Sequence, residues 1–203
     1  MTGVDALARL RGLGVPAVRT ADAAAALAST TAAASALLAR LAKAGLVTPV
    51  RSGLWWLEPS VEPARLPEFL SWPQPSYVSL QSALWVHGLI EQIPSITYAV
   101  SLGRSQVVKT HLGVVSLHHL APELFGGFET TPRGVRMALP EKALFDLAYL
   151  SGGRSRLFAA LPELTLPRGF SRPVLRSWVE KIPAARKRTM TRSRLERWLA
   201  SAR

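Results

Sequence analysis

Residues 19–57, RTADAAAALASTTAAASALLARLAKAGLVTPVRSGLWWL, constrain the fold more than any other part of the chain. Two alanine-rich runs favour helix. Between them, Ser29-Thr30-Thr31 supplies hydroxyls that accept the free amides at the start of the next helix. The spacing predicts a short helix over residues 23–28, opened by Thr20 or Asp22, and a second helix running to about residue 44. Gly45 ends it, because glycine enters the left-handed conformation cheaply. Residues 46–50 and 54–57 are short β-prone runs around Arg51-Ser52-Gly53, a three-residue turn with glycine where positive φ is wanted. Pro49 cannot donate to a ladder, which places its strand at an edge.

Two helices across a short turn, followed by a hairpin, form the outline of a winged helix-turn-helix, in which the second helix enters the DNA major groove. Ala34, Leu38 and Leu41 recur at core spacing, with Leu37 at the margin. The opposite face is small near its start and basic near its end, suited to close approach and to phosphates. Ser29, Thr30, Thr31, Ala33 and Ala36 are therefore candidates to line the groove. Arg19, Arg40 and Lys43 are candidates for phosphate contacts, and Arg51 for phosphate or the minor groove. So few long side chains discriminate weakly in one copy, so two copies on an inverted repeat, or DNA bending between half-sites, are expected. The plainer reading is a bundle helix with solvated Arg40 and Lys43; the hairpin and the charge favour DNA.

The 203 residues allow one large or two small domains, and a hydrophobic content of 48% supports a packed core. Net charge is +12 and the sequence pI is near 11.3, which favours a polyanion partner. Arginine-rich coding bias discounts that signal. The absence of cysteine excludes disulfides and thiolate metal sites and fits a reducing cytoplasm. No apolar run approaches the roughly 18 residues that span a bilayer, and the first residues lack a secretory pattern. The expected location is cytoplasmic, with no membrane partner.

Val4, Leu7, Ala8 and Leu10 predict a first helix, with Arg9 and Arg11 on its outer side. Residues 58–76 contain Pro59, Pro63, Pro67, Pro73 and Pro75, and read as a semi-rigid linker with Leu66, Phe69, Leu70 and Trp72 available for packing. The expected division is a DNA-binding domain at 1–57, a linker at 58–76 and a mixed α+β domain at 77–203. A helix is expected from Ser79, with strands at 96–102, 106–112, 114–120 and 133–139. Pro140-Glu141 opens a helix. Ser171 caps another, carrying Leu175, Trp178, Val179 and Ile182, and Ser193 with Glu196 form a capping-box pattern before a last one. Arg186, Lys187, Arg188, Arg192 and Arg194 in this tail are candidates for phosphate or partner contact, against the plainer reading of a solvated helix face.

Enzymatic chemistry is weakly supported. His118 and His119 alternate sides of a strand, His87 lies on an apolar helix face and His111 is isolated. Glu141 and Asp146 turn to different sides of a helix, which disfavours a two-metal or acid–base pair despite Glu141-Lys142. The glycines at 126–127 and 152–153 lack phosphate-loop spacing and read as turns. Of Trp55 and Trp56, one faces inward. No catalytic residue, metal or cofactor is expected.

The chain resembles AbiEi-type antitoxins, the transcriptional regulators of bacterial type IV toxin–antitoxin pairs. The stretches that carry the resemblance are RLAKAGLVTPVRSGLWWL, YVSLQSALWVHGLIEQIP, HLGVVSLHHLAPELFGGF and TPRGVRMALPEKALFDLAYL. It implies a winged helix that binds inverted repeats upstream of its own operon and represses it. It also implies a C-terminal domain that counteracts a nucleotidyltransferase-like toxin. The alternatives are a protein-interaction module with the helix pair as support, and a nucleic-acid-processing enzyme.

Overall fold

Short polar caps and glycines set the element ends in the N-terminal part of the chain. The computed structural model describes residues 2–151 and 163–202, so Gly152 and Gly153 lie outside the described residues. These residues form a mixed α+β structure with eight α-helices and two sheets. The chain divides into one unit of Met1–Pro63 with Lys109–Gly113, and another of Ala64–Val108 with Val114–Arg203. No single described helix is long and apolar enough to cross a membrane.

In the first unit, α1 (Gly3–Arg11) begins with a capping box: the Asp5 amide donates to the Thr2 hydroxyl, and the Thr2 amide to the Asp5 carboxylate. The Thr2 side chain holds the Asp5 carboxyl below its ordinary value. The buried stripe is Ala6, Leu7 and Leu10; Val4 and Ala8, expected on it, face outward. Arg11 does not ride free on the outer side. Its guanidinium donates to the carbonyls of Leu57 (2.9 Å) and Leu46 (3.1 Å).

Strand β1 (Ala17–Arg19) leads directly into α2 (Thr20–Ala26), which starts three residues before the expected boundary. The Thr20 hydroxyl does not cap this helix; it accepts the Trp55 indole N–H at 2.9 Å. Thr30 caps α3 (Thr31–Lys43), accepting the Ala33 amide at 3.2 Å, and the chain bends by 103° between α2 and α3. Gly45 takes φ +70° after α3, and Gly53 takes φ +75° between β2 (Thr48–Arg51) and β3 (Leu54–Trp56). Strand order is β1-β3-β2, antiparallel throughout, so Pro49 lies on an outer strand. The Val50 carbonyl of that strand accepts the amide of His111 at 3.0 Å. Ala34, Leu38 and Leu41 of α3 meet Leu10, Leu27, Val47 and Leu57 in the core.

The second unit begins inside the proline-rich stretch. Leu66 and Leu70 of α4 (Leu66–Ser71) are buried, whereas Trp72 is exposed. The sheet contains β4 (Ser76–Val78), β5 (Thr97–Ser101), β6 (Gln106–Thr110), β7 (Gly113–His119), β8 (Phe128–Thr130) and β9 (Arg136–Ala138), in the order β6-β7-β5-β4-β9-β8. Pairs β5–β7 and β4–β9 are parallel; β4–β5 and β8–β9 are antiparallel. Helices α5 (Leu80–Val86), α6 (Pro140–Leu150), α7 (Arg172–Glu180) and α8 (Ala185–Ala200) complete the unit. Ser171 caps α7 through the Val174 amide, as its position predicts. Ser193 starts no helix: it sits exposed within an unbroken α8.

Candidate nucleic-acid interface

The periodicity that buries Ala34, Leu38 and Leu41 turns the other face of α3 outward. Thr31, Ala33, Ala36, Arg40 and Lys43 are all exposed, as are Ser29 and Thr30 just before the helix. Thr30 uses an acceptor lone pair in its cap, which leaves its O–H available to donate. The cap takes the Ala33 amide and the Thr30 carbonyl takes that of Ala34. The amides of Thr31 and Ala32 are left at this helix end, where the helix dipole favours negative charge.

Arg40 and Lys43 occupy the last turn of α3, where the dipole favours cations. Arg51 stands exposed at the hairpin turn. None of these three makes a hydrogen bond or ion pair among the described residues. Arg19 differs: it is half-buried, ends β1 opposite Leu54 and already interacts within the protein. The first unit thus presents exposed methyl and hydroxyl groups on and just before α3, and three exposed cations that are unpaired among the described residues.

The tail cations are placed differently. Arg188 donates to the Ile182 carbonyl (3.0 Å) and Arg194 to the Ala148 carbonyl (2.6 Å). Arg192 pairs with Glu180 at 2.7 Å, and the Lys187 ammonium sits 3.5 Å from the Tyr149 ring centroid. Desolvation, helped by the charge of Arg197, pulls the Arg194 pKa down. Only Arg186 of the five stands exposed and unpaired among the described residues.

Sequence reasoning missed a buried polar cluster in the second unit. Lys142 Nζ meets Asp146 Oδ1, and Asp146 Oδ2 accepts the hydroxyls of Tyr77 (3.0 Å) and Ser79 (2.7 Å). The rings of Trp178, Phe145 and Tyr77 surround the ammonium at 4.8, 5.0 and 5.5 Å. Burial pushes the Lys142 pKa down and those of Asp146 and Tyr77 up. Neither charged side chain touches solvent, and the Tyr77–Asp146 hydrogen bond joins β4 to α6. The available signal was a Lys and an Asp at i, i+4 on an otherwise apolar helix.

Glu141 does more than open α6: its Oε1 accepts the Ser171 amide at 2.6 Å, tying α6 to the start of α7. His87 meets the Ala138 carbonyl at 2.7 Å, His118 the Ser116 hydroxyl at 2.9 Å, and His119 the Gly103 carbonyl at 3.1 Å. Trp56 is the inward member of its pair, donating to the Ser60 carbonyl. Among the described residues, no group of three or more His, Asp or Glu could hold a metal ion. No family model matches the chain, and no curated protein matches it.

Proposed function

We propose that the chain is a DNA-binding transcriptional repressor, with the first unit acting as a winged helix-turn-helix. The observation that carries this reading is the outward face of α3: Ala33 and Ala36 are exposed with Arg40 and Lys43 further along the helix, and Arg51 is exposed at the hairpin turn, all three cations unpaired among the described residues. The 103° bend between α2 and α3 agrees with the ~90–120° of helix-turn-helix pairs. In the proposed complex α3 lies in the major groove. Ala33 and Ala36 meet thymine methyls, Ser29, Thr30 and Thr31 hydrogen-bond, and the cations neutralise phosphates. Two copies on an inverted repeat supply the discrimination that one short-chained helix lacks.

By its resemblance to AbiEi-type antitoxins, the repressor is proposed to control its own operon and, through residues 77–203, to counteract a nucleotidyltransferase-like toxin. The test of DNA binding is a mobility shift of the full chain on the duplex upstream of its gene, with a scrambled duplex as control. A specific, salt-sensitive shift supports the reading; equal binding to both duplexes at every salt concentration overturns it.

A further inference from the structure

The first unit is not built from the N-terminal residues alone: Lys109–Gly113, at the turn between β6 and β7, belongs to it. The His111 amide donates to the Val50 carbonyl at 3.0 Å, which seats this turn on the outer strand β2, one residue before Arg51. The turn is also held from within. The Thr110 hydroxyl donates to the Gly113 carbonyl (2.7 Å) and accepts the Leu112 amide (3.1 Å). A turn fixed in this way loses little further freedom on binding.

Two independent observations point to its partner. The first is Lys109, whose side chain is exposed and makes no hydrogen bond or ion pair among the described residues. The second is the distribution of acids. Residues 23–57 contain no Asp or Glu, and neither do residues 92–122; these are the two longest acid-free stretches of the chain. The His111–Val50 hydrogen bond joins one to the other. The first stretch holds Arg40, Lys43 and Arg51, the second Arg104 and Lys109. Cations gathered where carboxylates are excluded suit a phosphate backbone.

The reach agrees. The two residues from Lys109 to His111 span at most ~7 Å, paired backbones stand ~5 Å apart, and Arg51 is one residue beyond Val50. The two cations are therefore rooted within about 16 Å of each other, less than the ~34 Å of one B-DNA turn. We infer that the Lys109–Gly113 turn is a second wing of the DNA interface, in which Lys109 binds a duplex phosphate near the one that Arg51 binds. This inference rests on the repressor reading above.

The test is the salt dependence of mobility shifts by the full chain, on the duplex upstream of its gene and on the scrambled duplex. Lys109→Gln should weaken binding to both duplexes by the same factor and flatten the log–log salt slope by about one unit, as loss of a phosphate contact does. Lys109→Glu should weaken binding further. Arg104→Gln removes the same charge from the same acid-free stretch, but outside the first unit, and should keep the wild-type slope. A merely structural Lys109 would lower the urea midpoint and leave the slope alone. An unchanged slope in Lys109→Gln overturns the inference. So does an equal slope change in Arg104→Gln, which would mean that net charge alone is read. If Arg40→Ala and Arg51→Ala flatten the slope and Lys109→Gln does not, the second wing falls and the repressor reading stands. If wild-type protein binds both duplexes equally at every salt concentration, both fall.

Discussion

Lys142 and Asp146 stand one turn apart on α6, ammonium against carboxylate, and neither is reached by water. Removing one partner strands the other charge, and about 3–5 kcal/mol is expected for such a loss. Lys142→Met and Asp146→Asn should each fall in that range by urea unfolding. The double variant keeps an acceptor for the Tyr77 and Ser79 hydroxyls and should lose at least ~2 kcal/mol less than the sum. Additive losses would show that the two groups are not energetically coupled.

Arg40→Ala and Arg51→Ala should each weaken operator binding and flatten its salt dependence by about one unit of log–log slope. Arg188→Ala and Arg194→Ala, whose guanidiniums already hold backbone carbonyls, should instead lower the unfolding midpoint and leave that slope unchanged. Unaltered gel-shift midpoints for Arg40→Ala and Arg51→Ala would show that the wrong face has been assigned.

Gly127 takes φ +69°, and a Cβ there would lie 2.7 Å from the Trp178 ring and 3.0 Å from Lys142 Cγ. Overpacking of ~1–3 kcal/mol adds to a left-handed penalty of ~1–2 kcal/mol in Gly127→Ala. Gly53→Ala, with nothing within 4 Å, should show the backbone penalty alone. Equal losses for the two in chemical denaturation would mean that Trp178 moves aside freely.

Burial holds the pKa of His118 below its ordinary 6.5. The unfolded chain therefore takes up a proton near 6.5 that the folded chain still refuses. Stability linked to His118 is complete above that value and declines as pH falls toward the lower folded pKa. His118→Gln should reduce this acid-side decline between neutral and mildly acidic pH. A wild-type and variant difference that stays constant with pH would refute the assignment.

Around α3 the sequence was readable because each boundary has a local cause. Thr30 caps the helix, Gly45 and Gly53 adopt positive φ, and the spacing of Ala34, Leu38 and Leu41 turns Ala33, Ala36 and Arg40 outward. Strand β4 was not readable: three residues behind Pro75 become a strand only by pairing with β5 and β9, which lie far along the chain. Ser193 carried a local capping signal, but packing of Thr191 and Leu195 keeps α8 continuous through it. Charge alone could not separate Arg40 from Arg194, because the difference is the Ala148 carbonyl 46 residues away.

The two sides of α3 can be varied independently. Ala32, Ala33, Ala36 and Ala39 point into solvent, while Ala34, Leu38 and Leu41, with Leu37 and Ala42 at the margin, bind the helix to its unit. Longer side chains at the outward alanines sacrifice at most ~0.7 kcal/mol of helix propensity each and displace no packed neighbour. This one segment therefore allows surface chemistry to be rewritten, position by position, without renegotiating the interior.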